Sequence, residues 1–215
     1  MQSSAPADNT PSAVLAGLLR RRAMCRAFLP TDISDELIDG VIDAATQAPS
    51  AGHAQGLHVV VLVDEAREKL WGRSLAPARR STFRWQGLLQ APVLLLIFTD
   101  PSSYVARYAE ADKQHTDLGE GTQRWTTPFW TVDAGMAVMS MLLHIESLDL
   151  GALFFAFPEP IAEIRAALGV PEHLETIGIV AFGHPDPASP DARAAGRSAQ
   201  RPRRGASDVI HRGAW

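Results

Sequence analysis

The chain holds one cysteine, Cys25, among its 215 residues. A lone thiol closes no internal disulfide and cannot supply the paired cysteines of a structural zinc site, so the sequence suits a reducing, cytoplasmic setting. Basic residues are in the minority, 20 Lys+Arg against 24 Asp+Glu, for a formal charge of −4. General nucleic-acid binding relies on a net basic surface and is disfavoured. No uninterrupted apolar run reaches membrane-spanning length: residues 128–150 are broken by Asp133, His144, Glu146 and Asp149, and read as a buried helix. The opening MQSSAPADNTPSA has no basic segment followed by an apolar one, so it does not read as a secretion signal.

Motifs of several enzyme classes are missing too. There is no glycine-rich dinucleotide fingerprint, no P-loop and no internal repeat. Ser50 lies in no nucleophile elbow, Cys25 has no identifiable base, and His144, His173, His184 and His211 are too scattered for a metal site. With 46 % hydrophobic residues the chain can build a substantial core. Small-molecule chemistry is the class these absences leave.

The patterning predicts a flexible tail over residues 1–10 and a single domain over 11–215. Thr10-Pro11 opens a first helix running towards Cys25, and Ser34, with an Ile33–Ile38 staple, opens a second that ends near Pro49 and Gly52. The apolar runs Leu57–Val63 and Val93–Phe98 read as interior strands. Glu65–Leu75 reads as helix, Ala76–Gln90 as a candidate lid, Tyr104–Ala111 as a short helix and Asp112–Thr127 as a long loop. A helix from about Pro128, apolar on nearly every face, belongs at the centre of the core. A short run Ala152–Phe157, a helix over Pro160–Leu168 and a strand Thr176–Phe182 follow, with loop over Gly183–Gly205. Without strict βαβ alternation, the order favours an α+β fold.

Four clusters carry candidate chemistry. Arg22 and Arg26, four residues apart, could converge at a helix end on a phosphate, although late arginines equally complement a helix dipole. Pro49-Ser50-Ala51-Gly52-His53-Ala54-Gln55 could grip the polar edge of a heterocycle or merely stop a helix. Phe154 and Phe155 could lie along a flat ring or pack in the core. Arg201-Pro202-Arg203-Arg204 could meet Arg22 in the fold or stay solvated, whereas Arg193, on the preceding loop, is expected to have no part in that site.

Taken in order, these clusters resemble the FMN-dependent nitroreductase family over nearly the whole chain, from Arg20 to Trp215. Arg22-Ala23-Met24-Cys25-Arg26 is similar to the family's flavin-phosphate motif, with Met24 where serine is common. Pro49, Ser50, Ala51 and Gln55 match the segment that approaches the flavin from the partner subunit, with His53 where asparagine is common and Gly56-Leu57 where Pro-Trp is common. Trp130–Ala137 resembles the start of the central dimer helix, Phe154-Phe155 the strand beside the flavin ring, and Val180–Pro185 the late strand end. Arg84 maps to the loop beside the pyrimidine edge, and Arg201 and Arg203 to the basic segment of an exchanged C-terminal arm.

The resemblance implies a nitroreductase-like fold, a central, mainly antiparallel sheet flanked by helices, in a two-fold homodimer binding FMN at each interface. It implies ping-pong hydride transfer from NAD(P)H through the flavin to a nitroaromatic, quinone or similar small acceptor, without a catalytic side chain. Nucleic acid, membrane and metal have no part in it. The competing readings are a flavin-holding protein of the same fold with little turnover, and another flavin reaction such as dehalogenation, flavin cleavage or azoline oxidation.

Overall fold

The computed structural model describes residues 10–193 and 201–215. The expected tail over 1–10 falls, apart from Thr10, outside the described residues, as does the 194–200 part of the expected late loop.

Helix α1 (Pro11–Arg21) opens as its sequence dictates: the Thr10 hydroxyl accepts from the Ala13 N–H and proline occupies the first turn. It stops at Arg21, short of Cys25, because Arg22 turns to ψ 116° and the chain becomes extended. Helix α2 (Asp35–Thr46) is capped by Ser34, whose Oγ accepts from Leu37 N–H, and buries Ile38, Val41 and Ala45. Strand β1 (Leu57–Val63) leads through a 3₁₀ turn to α3 (Glu68–Ser74) and the single turn α4 (Pro77–Arg80). The expected lid thus contains α4 and a 3₁₀ turn, Gln86–Gln90, anchored by buried Leu88.

Strand β2 (Val93–Thr99) is buried at every position. Helix α5 (Pro101–Tyr108) follows, and the stretch expected as a long loop contains three 3₁₀ turns between Gln114 and Arg124. Trp125 ties that stretch down, its rings 4.7 Å from Tyr108 and 6.0 Å from both Tyr104 and Trp130. Helix α6 (Phe129–Ser147), strand β3 (Gly151–Phe155), helix α7 (Ile161–Leu168) and strand β4 (Glu175–Gly183) complete the core.

The sheet order is β1-β2-β4-β3, antiparallel throughout, so the fold is α+β as its sequence predicts. Helices α2 and α6 cover one face, against Val93, Leu95, Ile97, Val180 and Phe182. Helices α3 and α7 cover the other, against Leu94, Leu96, Phe98, Ile179 and Ala181. The alternation of six β2 residues, Val93 to Phe98, between these two covered faces explains why its run is continuously apolar.

Two expectations are corrected. Strand β1 is an edge strand of this chain's sheet, with His58 and Val61 exposed, although its β-branched run resembles an interior one. Helix α6 is not buried all round: Trp130, Ala134, Ala137, Val138 and Met141 face the core, whereas Phe129, Val132 and Met136 are exposed. A helix apolar on every face has a second apolar surface to cover once its first is packed.

Candidate functional site

Downstream of α1 the chain runs as an extra strand beside β3. Met24 bridges Ala152 in parallel, and the Cys25 N–H donates to the Ala152 carbonyl at 2.8 Å. Gly151 permits this approach, since a Cβ there would lie 2.8 Å from the Cys25 Cβ and Sγ. Arg26 N–H donates to Asp191 O, and Asp186 N–H to Ala27 O, which fastens the segment to the chain after β4.

Side chains two apart share one side of an extended segment. Cys25 and Ala27 point into the core, leaving Arg22, Met24 and Arg26 together on the other side, with Ala23 half-buried between them. This corrects the expected helical convergence of Arg22 and Arg26. At ~3.3 Å per residue their Cα atoms stand about 13 Å apart along the extended segment, instead of one helical turn apart.

Arg22 carries the most telling atom of the region. Its Nη1 is buried and, among the described residues, has no hydrogen-bond partner. Leaving a buried polar N–H unpaired costs about 1–3 kcal/mol, and more for a charged group, so the site suits an anion. Neighbouring Arg21 is already engaged: its Nε reaches Oε1 of buried Glu146 at 3.3 Å, and Arg193 reaches the same oxygen at 3.4 Å. Arg193, like Arg21, is therefore paired with buried Glu146.

Arg26 and Phe155 meet at a cavity of about 330 Å³, with Trp71, Phe83 and Trp85 as its aromatic walls; Phe154 also borders it, while its ring packs against the α2/α6 face of the sheet. The Trp71 and Phe155 rings are parallel within 4° at 6.2 Å. Two guanidiniums, Arg26 and Arg84, lie 5.5 and 5.4 Å from the Trp85 ring centroid. The indole Nε1 of buried Trp71 has no partner among the described residues. Lined by Arg26 and by flat aromatic walls, the cavity fits a planar, polar-edged ring.

Pro49, Ser50 and Gln55 line a different cavity, of about 450 Å³, between β1, α2 and α6. The two cavities lie against opposite faces of the sheet, because Leu57 and Val59 belong to one packed face and Trp71 and Leu153 to the other. Within this chain the Pro49–Gln55 loop does not join the Arg26 cavity. Ala51 is held by its N–H, which donates to Asp133, while His53 is exposed. Arg201 and Arg203 are exposed, as is every residue of 201–215.

Asp133, Tyr104, Trp71 and Glu146 were not singled out by sequence reasoning. Buried Asp133 and Glu146 are polar interruptions of an apolar helix, and that was their only signal. Burial, with the Asp133 carboxylate beside it, pushes the Tyr104 hydroxyl well above its ordinary range. Among the described residues no cluster of His, Cys, Asp and Glu could hold a metal ion, and no helix is long and apolar enough to cross a membrane.

Burial also pushes the Cys25 thiol up, and its Sγ–H donates to Ala27 O at 3.1 Å. The unfolded chain therefore loses this proton first, so the thiol's contribution to stability is intact below the ordinary thiol range and declines as pH rises through it. Cys25 should resist a disulfide-exchange reagent at pH 8 in the native protein and react within seconds in denaturant. Rapid native labelling would contradict the burial.

Residues 19–184 match the family described as the Nitroreductase family. A Bacillus subtilis protein named FMN reductase (NAD(P)H) is 26% identical over 205 residues, covering 92% of this chain and 72% of the relative. Among solved structures, nitroreductase CinD from Lactococcus lactis, in complex with nicotinic acid, superposes with a TM-score of 0.68 at 20% identity, covering 91% of this chain and 97% of that one. An FMN-dependent nitroreductase from Clostridium difficile R20291 gives 0.61 at 22% identity, covering 93% and 99%.

Proposed function

Because the chain belongs to the nitroreductase family, we propose that it is an FMN-dependent oxidoreductase working as a cytoplasmic homodimer, taking electrons from NAD(P)H and passing them to a nitroaromatic, quinone or similar small acceptor. The observation that carries the reading is the unpartnered, buried Nη1 of Arg22 on the same side of one extended segment as Arg26, which opens on a flat-walled aromatic cavity. An anion joined to a planar heterocycle satisfies both ends.

When bound, FMN would supply the redox chemistry, hydride transfer between NAD(P)H and the acceptor. The chain's own residues bind and orient. Arg22 takes the phosphate, joined by Arg201 and Arg203 from the C-terminal arm. Ala23 and Met24 line the path between phosphate and ring, and Arg26 and Arg84 place positive charge at the pyrimidine edge. Phe154 and Phe155 lie along the ring, and the aromatic walls exclude water. The loop of Pro49, Ser50, Ala51, His53 and Gln55 reaches the flavin of the other subunit, which accounts for its separation from the Arg26 cavity within one chain. Residues 11–215 act as one flavin-binding domain in this reading, with the exposed arm exchanged between subunits.

The purified protein should be yellow, with a flavin absorption spectrum, and should oxidise NADH or NADPH in the presence of a quinone by parallel-line, ping-pong kinetics. A colourless protein that takes up no added FMN would sink the reading. A yellow protein without steady-state turnover would instead favour the flavin-holding alternative.

A further inference from the structure

The loop from Pro49 to Gln55 is held by more than a helix-to-strand turn requires. His53 and Gln55 are non-glycine residues at φ 62° and 53°, and Gly52 between α2 and β1 sits at 62° as well. Left-handed backbone at two non-glycine positions costs conformational energy and persists only where the surroundings over-determine it.

Those surroundings come from two helices. Asp133, on α6, is buried, and its Oδ2 accepts from the Ala51 N–H at 2.8 Å and the Tyr104 hydroxyl at 2.9 Å. Among the described residues no cation is paired with it. A buried carboxylate satisfied by neutral donors alone is an expensive way to fill a helix face. From the other side the Arg107 Nε, on α5, donates to the Gly52 carbonyl at 2.8 Å, and Asp112 fixes that guanidinium with two contacts of 2.8 Å. Glycine is required at 52, where a Cβ would stand 2.7 Å from the Tyr108 ring.

We infer that Asp133, with Arg107, is a positioning residue for the flavin site of the opposite subunit: it fixes the strained loop that each chain lends to the FMN held by its partner's Arg22 and Arg26. The inference rests on the dimeric flavin reading above. Its distinguishing consequence is that the effect crosses the subunit interface. A substitution at Arg22 empties the site of its own chain, whereas one at Asp133 empties the other site.

The test is complementation between two differently tagged chains, purified as a heterodimer and assayed for bound FMN by absorbance. The Arg22→Ala and Asp133→Ala homodimers should each retain little flavin. In the heterodimer one site has lost both features, while the other combines the intact Arg22 of one chain with the intact loop of the other. It should recover about one FMN per dimer, as two-fold symmetry requires. Asp133→Asn, which keeps an acceptor oxygen for Ala51, should recover most of the flavin lost by Asp133→Ala. If Asp133→Ala fails to fold, Arg107→Leu releases the loop at Gly52 from a partly exposed position and replaces it in the heterodimer. An empty heterodimer, or a fully loaded homodimer of the loop-releasing chain, would overturn the inference. A fully loaded Arg22→Ala homodimer, or a monomeric parent protein, would overturn the flavin-site reading beneath it.

Discussion

Arg22→Ala is expected to purify nearly free of flavin and to recover partly when excess FMN is added. A charge-assisted contact contributes about 1.5–3 kcal/mol, so loss of this side chain should raise the FMN dissociation constant roughly tenfold to a hundredfold. The parent side chain keeps Nη1 buried and unpaired, which means that the free protein already bears the cost of organising it. Binding an anion there regains that cost, while truncation to alanine removes both the cost and the gain. Riboflavin provides the internal control, because it has the same ring and lacks the phosphate. Its affinity should change little in Arg22→Ala, so the preference for FMN over riboflavin collapses. Equal weakening of both flavins would mean that Arg22 supports the fold rather than the phosphate. An unchanged FMN dissociation constant would show that the phosphate lies elsewhere.

The legible part of this molecule was the part governed by local chemistry. Thr10-Pro11 and Ser34 cap the helices they were expected to cap. The runs at Leu57 and Val93 are strands because β-branched and large apolar side chains suit a pleated, covered surface. The position of β1 at an edge was not legible, since an apolar run records burial of its side chains and says nothing of which backbone pairs with it. The helical pairing of Arg22 and Arg26 failed for a related reason. Spacing of four suggests a helix face, but the chain leaves the helix at Arg22 to bridge Ala152, a contact 128 residues away that no local pattern encodes. The two cavities show the same division. Phe154, Phe155 and Arg26 were noted separately, and only folding brings them together with Trp71.

The buried polar residues tell the complementary story. Asp133 and Glu146 looked like reasons why a helix could not span a membrane, and each turns out to be engaged through one carboxylate oxygen, Asp133 by a loop N–H and a tyrosine, Glu146 by two arginines. A sequence marks such residues as anomalies within an apolar run. What they hold depends on partners 82 and 125 residues away. The order of the clusters along the chain carried the family resemblance further than any single residue could, because it constrains all those distant partners at once.

Gly135→Leu should convert the protein to monomers and release its flavin. Gly135 lies in the middle of α6, where glycine costs about 1 kcal/mol relative to alanine. Nothing among the described residues explains the choice, since a Cβ at this position would meet none of their atoms within 4 Å. Around it Phe129, Val132 and Met136 are exposed at i, i+3 and i+7 spacing, an apolar stripe on the side of α6 turned away from the core. A second copy of the chain packed closely on that stripe accounts for both the missing side chain and the exposed apolar ones. In a two-fold interface each substitution appears twice. Overpacking costs about 1–3 kcal/mol per site, so a leucine here should weaken association by roughly 2–6 kcal/mol, or about 30-fold to more than 10⁴-fold. Sedimentation velocity at micromolar concentration, with flavin absorbance followed in the same cell, measures both consequences. Helix content should be preserved, because the single chain has room for the side chain. A Gly135→Leu protein that sediments as a yellow dimer would place the subunit interface on another face, and the loop from Pro49 to Gln55 could then no longer be the part that one chain lends to the other.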